Sequence, residues 1–145
     1  MFSKACEYAI KAMIFITVRS RHSLRTGLVD VVDGTGSPES FTAKILQKLV
    51  KSKLLESQKG PSGGFVINQK RASEISVSDI VKAIDGDNVY NGCALGFSEC
   101  NELKPCPIHH QYKSIRSDIS HMLKETTLEN LSKDIDQGLT YLRRE

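Results

Sequence analysis

With 145 residues, 39% of them hydrophobic and 26% charged, the chain has the make-up of one ordinary globular domain with apolar side chains enough for a core, which excludes a disordered polyelectrolyte. No apolar run approaches the roughly 20 residues of a spanning helix, and AIKAMIFITV is broken by Lys11 and followed by no small-residue cleavage site, so the expected location is the cytoplasm, with no membrane partner. The net charge of +3 conceals an asymmetry, because residues 1–75 carry twelve Lys/Arg against six Asp/Glu and residues 76–145 eight against eleven; a basic first half suits a polyanionic partner.

From Lys4 to about Ser20, Tyr8, Ala9, Ala12, Met13 and Ile16 recur at helical spacing, and Arg19, Arg21 and His22 suit the negative end of a helix. A short helical segment from Leu28 to Val32 ends in Asp33-Gly34-Thr35-Gly36, after which Ser37-Pro38 reads as an N-cap followed by proline at the first helical position. In the longer helix that follows, Phe41, Ile45, Leu46, Leu49 and Val50 mark a buried stripe, and Ser40, Thr42, Ala43, Lys44, Gln47, Lys48 and Lys51 face outward. Two strand-like runs, Leu54 to Gln58 and Gly64 to Ile67, flank the turn Lys59-Gly60-Pro61-Ser62-Gly63. A helix-turn-helix followed by a basic-tipped hairpin is a winged helix, whose second helix can enter a major groove while the wing reaches backbone or minor groove.

Ser76-Val77-Ser78-Asp79 is a capping-box pattern that opens a helix through Ile80, Val81, Ala83 and Ile84, with Gly86 as its stop. Beyond a cysteine-containing loop, Ile108, Tyr112, Ile115, Ile119, Met122 and Leu123 recur at spacings of four and three on an otherwise charged helix, a pattern that suits dimerisation. Thr126-Thr127-Leu128-Glu129 then opens a last helix with Leu131, Ile135, Leu139 and Leu142 as its buried side. The expected fold is mainly α with a small β-hairpin wing. Its parts are a winged helix-turn-helix DNA-binding domain over 1–85, a cysteine loop over 86–107, and over 108–145 a dimerisation helix and a C-terminal helix that packs back on the first part.

GLVDVVDGTGSPESFTAKILQKLVKSKLLESQKGPSGGF, ISVSDIVKAIDG, the cysteine loop and TTLENL, in that order, resemble the bacterial winged-helix repressors that include the iron-sulfur regulator IscR and the nitric-oxide sensor NsrR. The wing segment KGPSGGF is the most specific part of the likeness, which spans nearly the whole chain. It implies a homodimer that binds partly palindromic double-stranded operator DNA, with a [2Fe-2S] or [4Fe-4S] cluster on three loop cysteines in several members.

The loop CALGFSECNELKPCPIHH spaces its cysteines C-x6-C-x5-C. Thiolates are soft anionic ligands suited to a cluster, and Cys93, Cys100 and Cys106 are the candidate ligands. Zinc is the first alternative, although its sites favour tighter C-x2-4-C spacings; a thiol redox switch and an inert loop are the others. By resemblance the fourth ligand is His109, three residues after Cys106, with Glu7 on the first helix as the rival; Cys6 beside it reads as a small packed hydrophobe. The candidate DNA contacts are Ser40, Phe41, Thr42, Ala43 and Lys44 at the start of the recognition helix, Lys48 and Lys51 further along where phosphates lie, and Lys59 at the wing tip. No phosphate loop, nucleophile elbow or paired-carboxylate pattern suggests an enzyme. An iron-sulfur electron carrier would leave the winged helix unexplained.

Overall fold

A computed structural model describes residues 1–144. Ser3 opens the first helix, α1 (Lys4–Arg21), its hydroxyl accepting from the Cys6 N–H at 3.0 Å, and α1 runs through the middle of the molecule with Cys6, Ala9, Ala12, Met13, Ile16 and Thr17 all buried. The remaining elements wrap it: α2 (Leu28–Thr35), α3 (Glu39–Lys51), the antiparallel hairpin β1 (Glu56–Gln58) and β2 (Gly64–Val66), α4 (Gln69–Glu74), α5 (Val77–Asp85), the single turn α6 (Asn88–Asn91), α7 (His109–Glu125) and α8 (Leu128–Asp136). This is the expected mainly helical winged helix-turn-helix. Among the described residues no helix is long and apolar enough to cross a membrane.

One core gathers Ala9, Met13 and Ile16 of α1 with Val31, Ile45, Leu46, Leu49, Leu55, Ile67, Ile75, Ile80 and Leu128. A smaller one joins Cys6 to Val77, Val81 and Leu123, with Ile119 and Tyr90 against it. The starts of α5 and α8 are tied by a bridge between Ser76 and Thr127, in which the Val77 N–H donates to the Thr126 carbonyl at 2.9 Å and the Leu128 N–H to the Ile75 carbonyl at 3.0 Å. The capping box of Ser76 and Asp79 forms as expected.

Several local expectations are corrected. α2 does not stop at Val32 but continues through Gly34 to Thr35, because the Phe15 ring lies where a β-carbon at Gly34 would be, 2.1 Å from that position, and the missing side chain lets the helix pass beneath the ring. Ser37 does not cap α3. It is buried, its hydroxyl 2.8 Å from that of Thr35, and Pro38 takes the N-cap position. Thr127 rather than Thr126 caps α8, accepting from the Asn130 N–H instead of forming a box with Glu129. α8 ends at Asp136, so Leu139 lies beyond it and is 66% exposed, whereas Leu131, Ile135 and Leu142 pack against the core. The short helices α4 and α6 carry no long apolar period and were not expected from the sequence.

Candidate nucleic-acid interface and cysteine loop

The turn between α2 and α3 is short. Gly36 closes α2 in the left-handed region at φ 71°, and the Thr35–Ser37 hydroxyl pair fixes the chain before Pro38 starts α3. α3 then presents Ser40, Lys44, Gln47, Lys48 and Lys51 to solvent and leaves Ala43 half-buried. Phe41, expected in the buried stripe, sits at its edge, 39% exposed and packed edge-on against Tyr8 with ring centroids 5.7 Å apart. Thr42, expected to face outward, is corrected: it is only 1% exposed, and its hydroxyl donates to the Pro38 carbonyl at 2.7 Å, so it supports the start of the helix and cannot meet a base edge. The Lys48 ammonium donates to the Ile84 carbonyl at the end of α5, at 3.3 Å.

Glu56 pairs with Val66, Ser57 with Phe65 and Gln58 with Gly64, leaving Lys59 exposed at the tip. Thr26, fully buried between α1 and α2, adds a bridge to Phe65 through two backbone hydrogen bonds of 3.1 and 2.7 Å. Only glycine fits at 64, where φ is +138° and a β-carbon would lie 2.9 Å from the Thr26 carbonyl oxygen. A cleft of about 370 Å³ separates α3 from the wing, lined by Gln47, Val50, Lys51, Ser57, Lys59 and Phe65.

The cysteine loop is fastened to α7. Arg116 donates to the Gly92 carbonyl at 2.8 Å, Lys113 pairs with Glu102, and Asn101 folds the middle of the loop by accepting from the Leu103 and Lys104 N–H groups. Cys106 is buried, Cys93 and Cys100 partly so, and all are free thiols. The Cys93 thiol has a pKa below its usual value, chiefly because the N–H groups of Phe97 and Leu95 favour the thiolate, with the Cys106 side chain and the Gly96 N–H adding to this against desolvation. His109, 3% exposed, brings Nδ1 to 3.3 Å from Cys100 Sγ and leaves its buried Nε2 without a hydrogen-bond partner.

The loop thus brings Cys100 against His109. Among the described residues no three Cys, His, Asp or Glu side chains gather tightly enough to hold a single metal ion. An iron-sulfur cluster spreads its ligands over more than one iron, so three free thiols on one loop beside a buried, unpartnered imidazole nitrogen are compatible with it. Glu7 is paired with Lys4 at 2.9 Å. Cys6 is fully buried, and burial first, then Asp85, pushes its pKa to about 12, which keeps it a thiol.

Sequence reasoning missed Arg19, Thr26, Lys113 and Arg116. Arg19 was assigned to the helix end, yet it reaches the root of the wing; a lone arginine at a helix terminus carries no signal of which neighbour it will find.

The Rrf2 family, described as an iron-dependent transcriptional regulator, matches residues 2–134. The chain belongs to the Rrf2 family. It is 31% identical over 127 residues to the HTH-type transcriptional regulator IscR of Vibrio atlanticus, covering 88% of this chain and 72% of that one. It is 29% identical over 133 residues to a putative HTH-type transcriptional regulator of Aquifex aeolicus, covering 90% of each. Its fold is similar to that of CymR, the global cysteine regulator of B. subtilis, at a TM-score of 0.74 with 21% identity over 92% of this chain and 96% of that one. The T. potens IscR structure matches at 0.73 with 17% identity, covering 97% and 91%. As a member of the Rrf2 family the chain is a helix-turn-helix DNA-binding transcriptional regulator and not an enzyme.

Proposed function

We propose that this regulator is a homodimeric repressor whose hold on a partly palindromic operator is controlled by an iron-sulfur cluster bound through Cys93, Cys100, Cys106 and His109. The observation that carries the reading is His109, a buried imidazole placed against Cys100 with its other nitrogen unpartnered. An unpaired buried polar atom costs about 1–3 kcal/mol, a cost that coordination of either ring nitrogen, with the other turned to a partner, would offset. When bound, the cluster supplies one-electron redox chemistry and sensitivity to iron supply, nitric oxide or oxygen. The chain's own part is to fold three thiols into one loop and to anchor that loop on α7 through Arg116 and Lys113.

The dimer is supported by α7, where Ile108, Ile115 and Met122 stand seven residues apart and are 42%, 57% and 50% exposed. Tyr112 falls between them and Ile119, packed partly against the smaller core, borders the same face, giving an apolar seam with the four-three period of a helix pair. Leu123, expected in this stripe, is instead buried within that core. Two recognition helices related by a two-fold axis would address half-sites about one DNA turn apart, roughly 34 Å. In this reading Ser40, Ala43 and Lys44 would meet base edges and Lys51 and Lys59 phosphates, while Lys48 shares its ammonium with the end of α5, the helix that leads through α6 into the loop.

A second reading, a thiol- or zinc-based regulator, is favoured by the Cys93 thiol, whose pKa the Phe97 and Leu95 N–H groups lower. Anaerobic purification with iron and acid-labile sulfide quantification separates the two, followed by operator selection with loaded and stripped protein. Stoichiometric iron and sulfide, with different operator affinity in the two forms, is the expected result; stoichiometric zinc without sulfide overturns the cluster reading.

A further inference from the structure

We infer that Arg19 is a positioning residue for DNA binding, because it sets the wing against α3 and so fixes the spacing of Lys51 and Lys59, between which one sugar-phosphate strand passes. The inference deepens the DNA reading above and rests on it. A hairpin of two three-residue strands, with β1 exposed throughout, has little stability of its own and takes its orientation from whatever holds its root.

That root is Phe65, which does two things. It lines the cleft between α3 and the wing, and it forms the bridge with Thr26. Thr26 is held by Arg19, whose Nε donates to the Thr26 hydroxyl at 3.0 Å while a terminal nitrogen donates to the Arg25 carbonyl at 3.1 Å. The same guanidinium lies 3.7 Å from the Asp30 carboxylate of α2 and 5.8 Å from the centroid of the Phe15 ring. One planar fork therefore joins α1, α2 and the wing root. Its side chain is 29% exposed, enough burial for charge-assisted hydrogen bonds to count for more than a surface ion pair. The cleft that this arrangement holds open has an apolar floor, Val50 and Phe65, and a lysine on either rim, which matches the apolar sugar face and charged phosphates of a DNA strand passing between a major groove occupied by α3 and a minor groove reached by the wing.

The test uses the full chain and a fluorescent duplex selected from a random library by the wild-type protein. Arg19→Gln should weaken binding about tenfold, the loss of one charge-assisted contact, and should flatten the salt dependence by about one phosphate. Arg19→Lys should not restore it, because an ammonium cannot reproduce the planar fork. Combined with Lys59→Ala, Arg19→Gln should cost clearly less than the product of the two single effects, since both act through the wing; combined with Lys44→Ala the effects should multiply. Thr26→Val keeps the backbone bridge and removes only the hydroxyl, and should show the same coupling if Arg19→Gln fails to fold. Wild-type affinity and salt slope in both Arg19→Gln and Thr26→Val, or full multiplication with Lys59→Ala, would overturn the inference while leaving DNA binding intact. A wild-type protein that selects no duplex overturns the DNA reading and this inference with it.

Discussion

The Nδ1 atom of His109 lies 3.3 Å from the Cys100 sulfur, and the opposite nitrogen of the same ring is buried with nothing to bond. The proposed cluster would give that nitrogen's ring a metal to bind. His109→Ala should therefore lower the iron retained by anaerobically purified protein and change its visible absorption more than Glu7→Ala, which loses an ion pair with Lys4 at 41% side-chain exposure of Glu7. Serine at Cys93, Cys100 or Cys106 should remove the colour altogether. A larger effect from Glu7→Ala would move the fourth ligand to α1.

Thr42 and Lys44 stand two residues apart on α3 and should behave in opposite ways. Thr42→Val deletes a buried hydroxyl bonded to the Pro38 carbonyl, so its effect, about 1 kcal/mol, should appear in thermal unfolding and leave sequence preference unchanged. Lys44→Ala and Ser40→Ala should leave stability within about 0.5 kcal/mol and shift preference in operator selection at roughly 1–3 kcal/mol per lost base contact. A changed preference in Thr42→Val would contradict the burial of its side chain.

In an exposed helix, replacing glycine by alanine ordinarily stabilises by about 1 kcal/mol. At Gly34 the sign should reverse. The new methyl would have to displace the Phe15 ring, 2.1 Å from its position, and overpacking of this kind costs roughly 1–3 kcal/mol. Because Phe15 also backs Arg19, Gly34→Ala should weaken DNA binding as well. A rise in melting temperature would show that the ring moves aside freely.

Arg21 donates to Asp136 at 2.8 Å and His22 lies 3.0 Å from the same carboxylate, joining the ends of α1 and α8. His22 first and Arg21 second lower the Asp136 pKa below its ordinary 3.8. A carboxylate with a depressed folded-state pKa contributes stability that is present above 3.8 and is lost as pH falls through the folded value. Asp136→Asn should then be less stable than wild type at neutral pH, by no more than about 1 kcal/mol for a partly exposed pair. The difference should disappear in urea titrations performed below the carboxylate range. A gap that persists in acid would assign the loss to packing instead.

The parts of the fold with strong periods were legible: α1, α3, α5 and α7 all follow their apolar spacing, and KGPSGGF marked the hairpin turn. What was not legible depended on a single distant neighbour. Gly34 looks like a turn until Phe15 is placed over it, Ser37 looks like a cap until Thr35 takes its hydroxyl, and Thr42 looks outward because its polarity hides a bond to its own helix. α4, six residues long, is too short to show a period. The cysteine loop was visible as a group of thiols by composition, but its pairing of Cys100 with His109 depends on α7 beginning at His109, which spacing alone does not specify.

Leu128 is fully buried in the same core as Ala9, Met13 and Ile16, so α1 is covered by a helix that follows it by more than a hundred residues in the chain. Contacts between chain segments more than a hundred residues apart close slowly, and they close only once both ends exist. On the ribosome the DNA-reading half emerges with one flank of α1 still bare, and it acquires its finished core only when α8 has followed it out of the exit tunnel. The architecture thereby orders events in the life of the molecule: the cysteine loop, which precedes α8 in the chain, emerges before the DNA-reading half has its finished core.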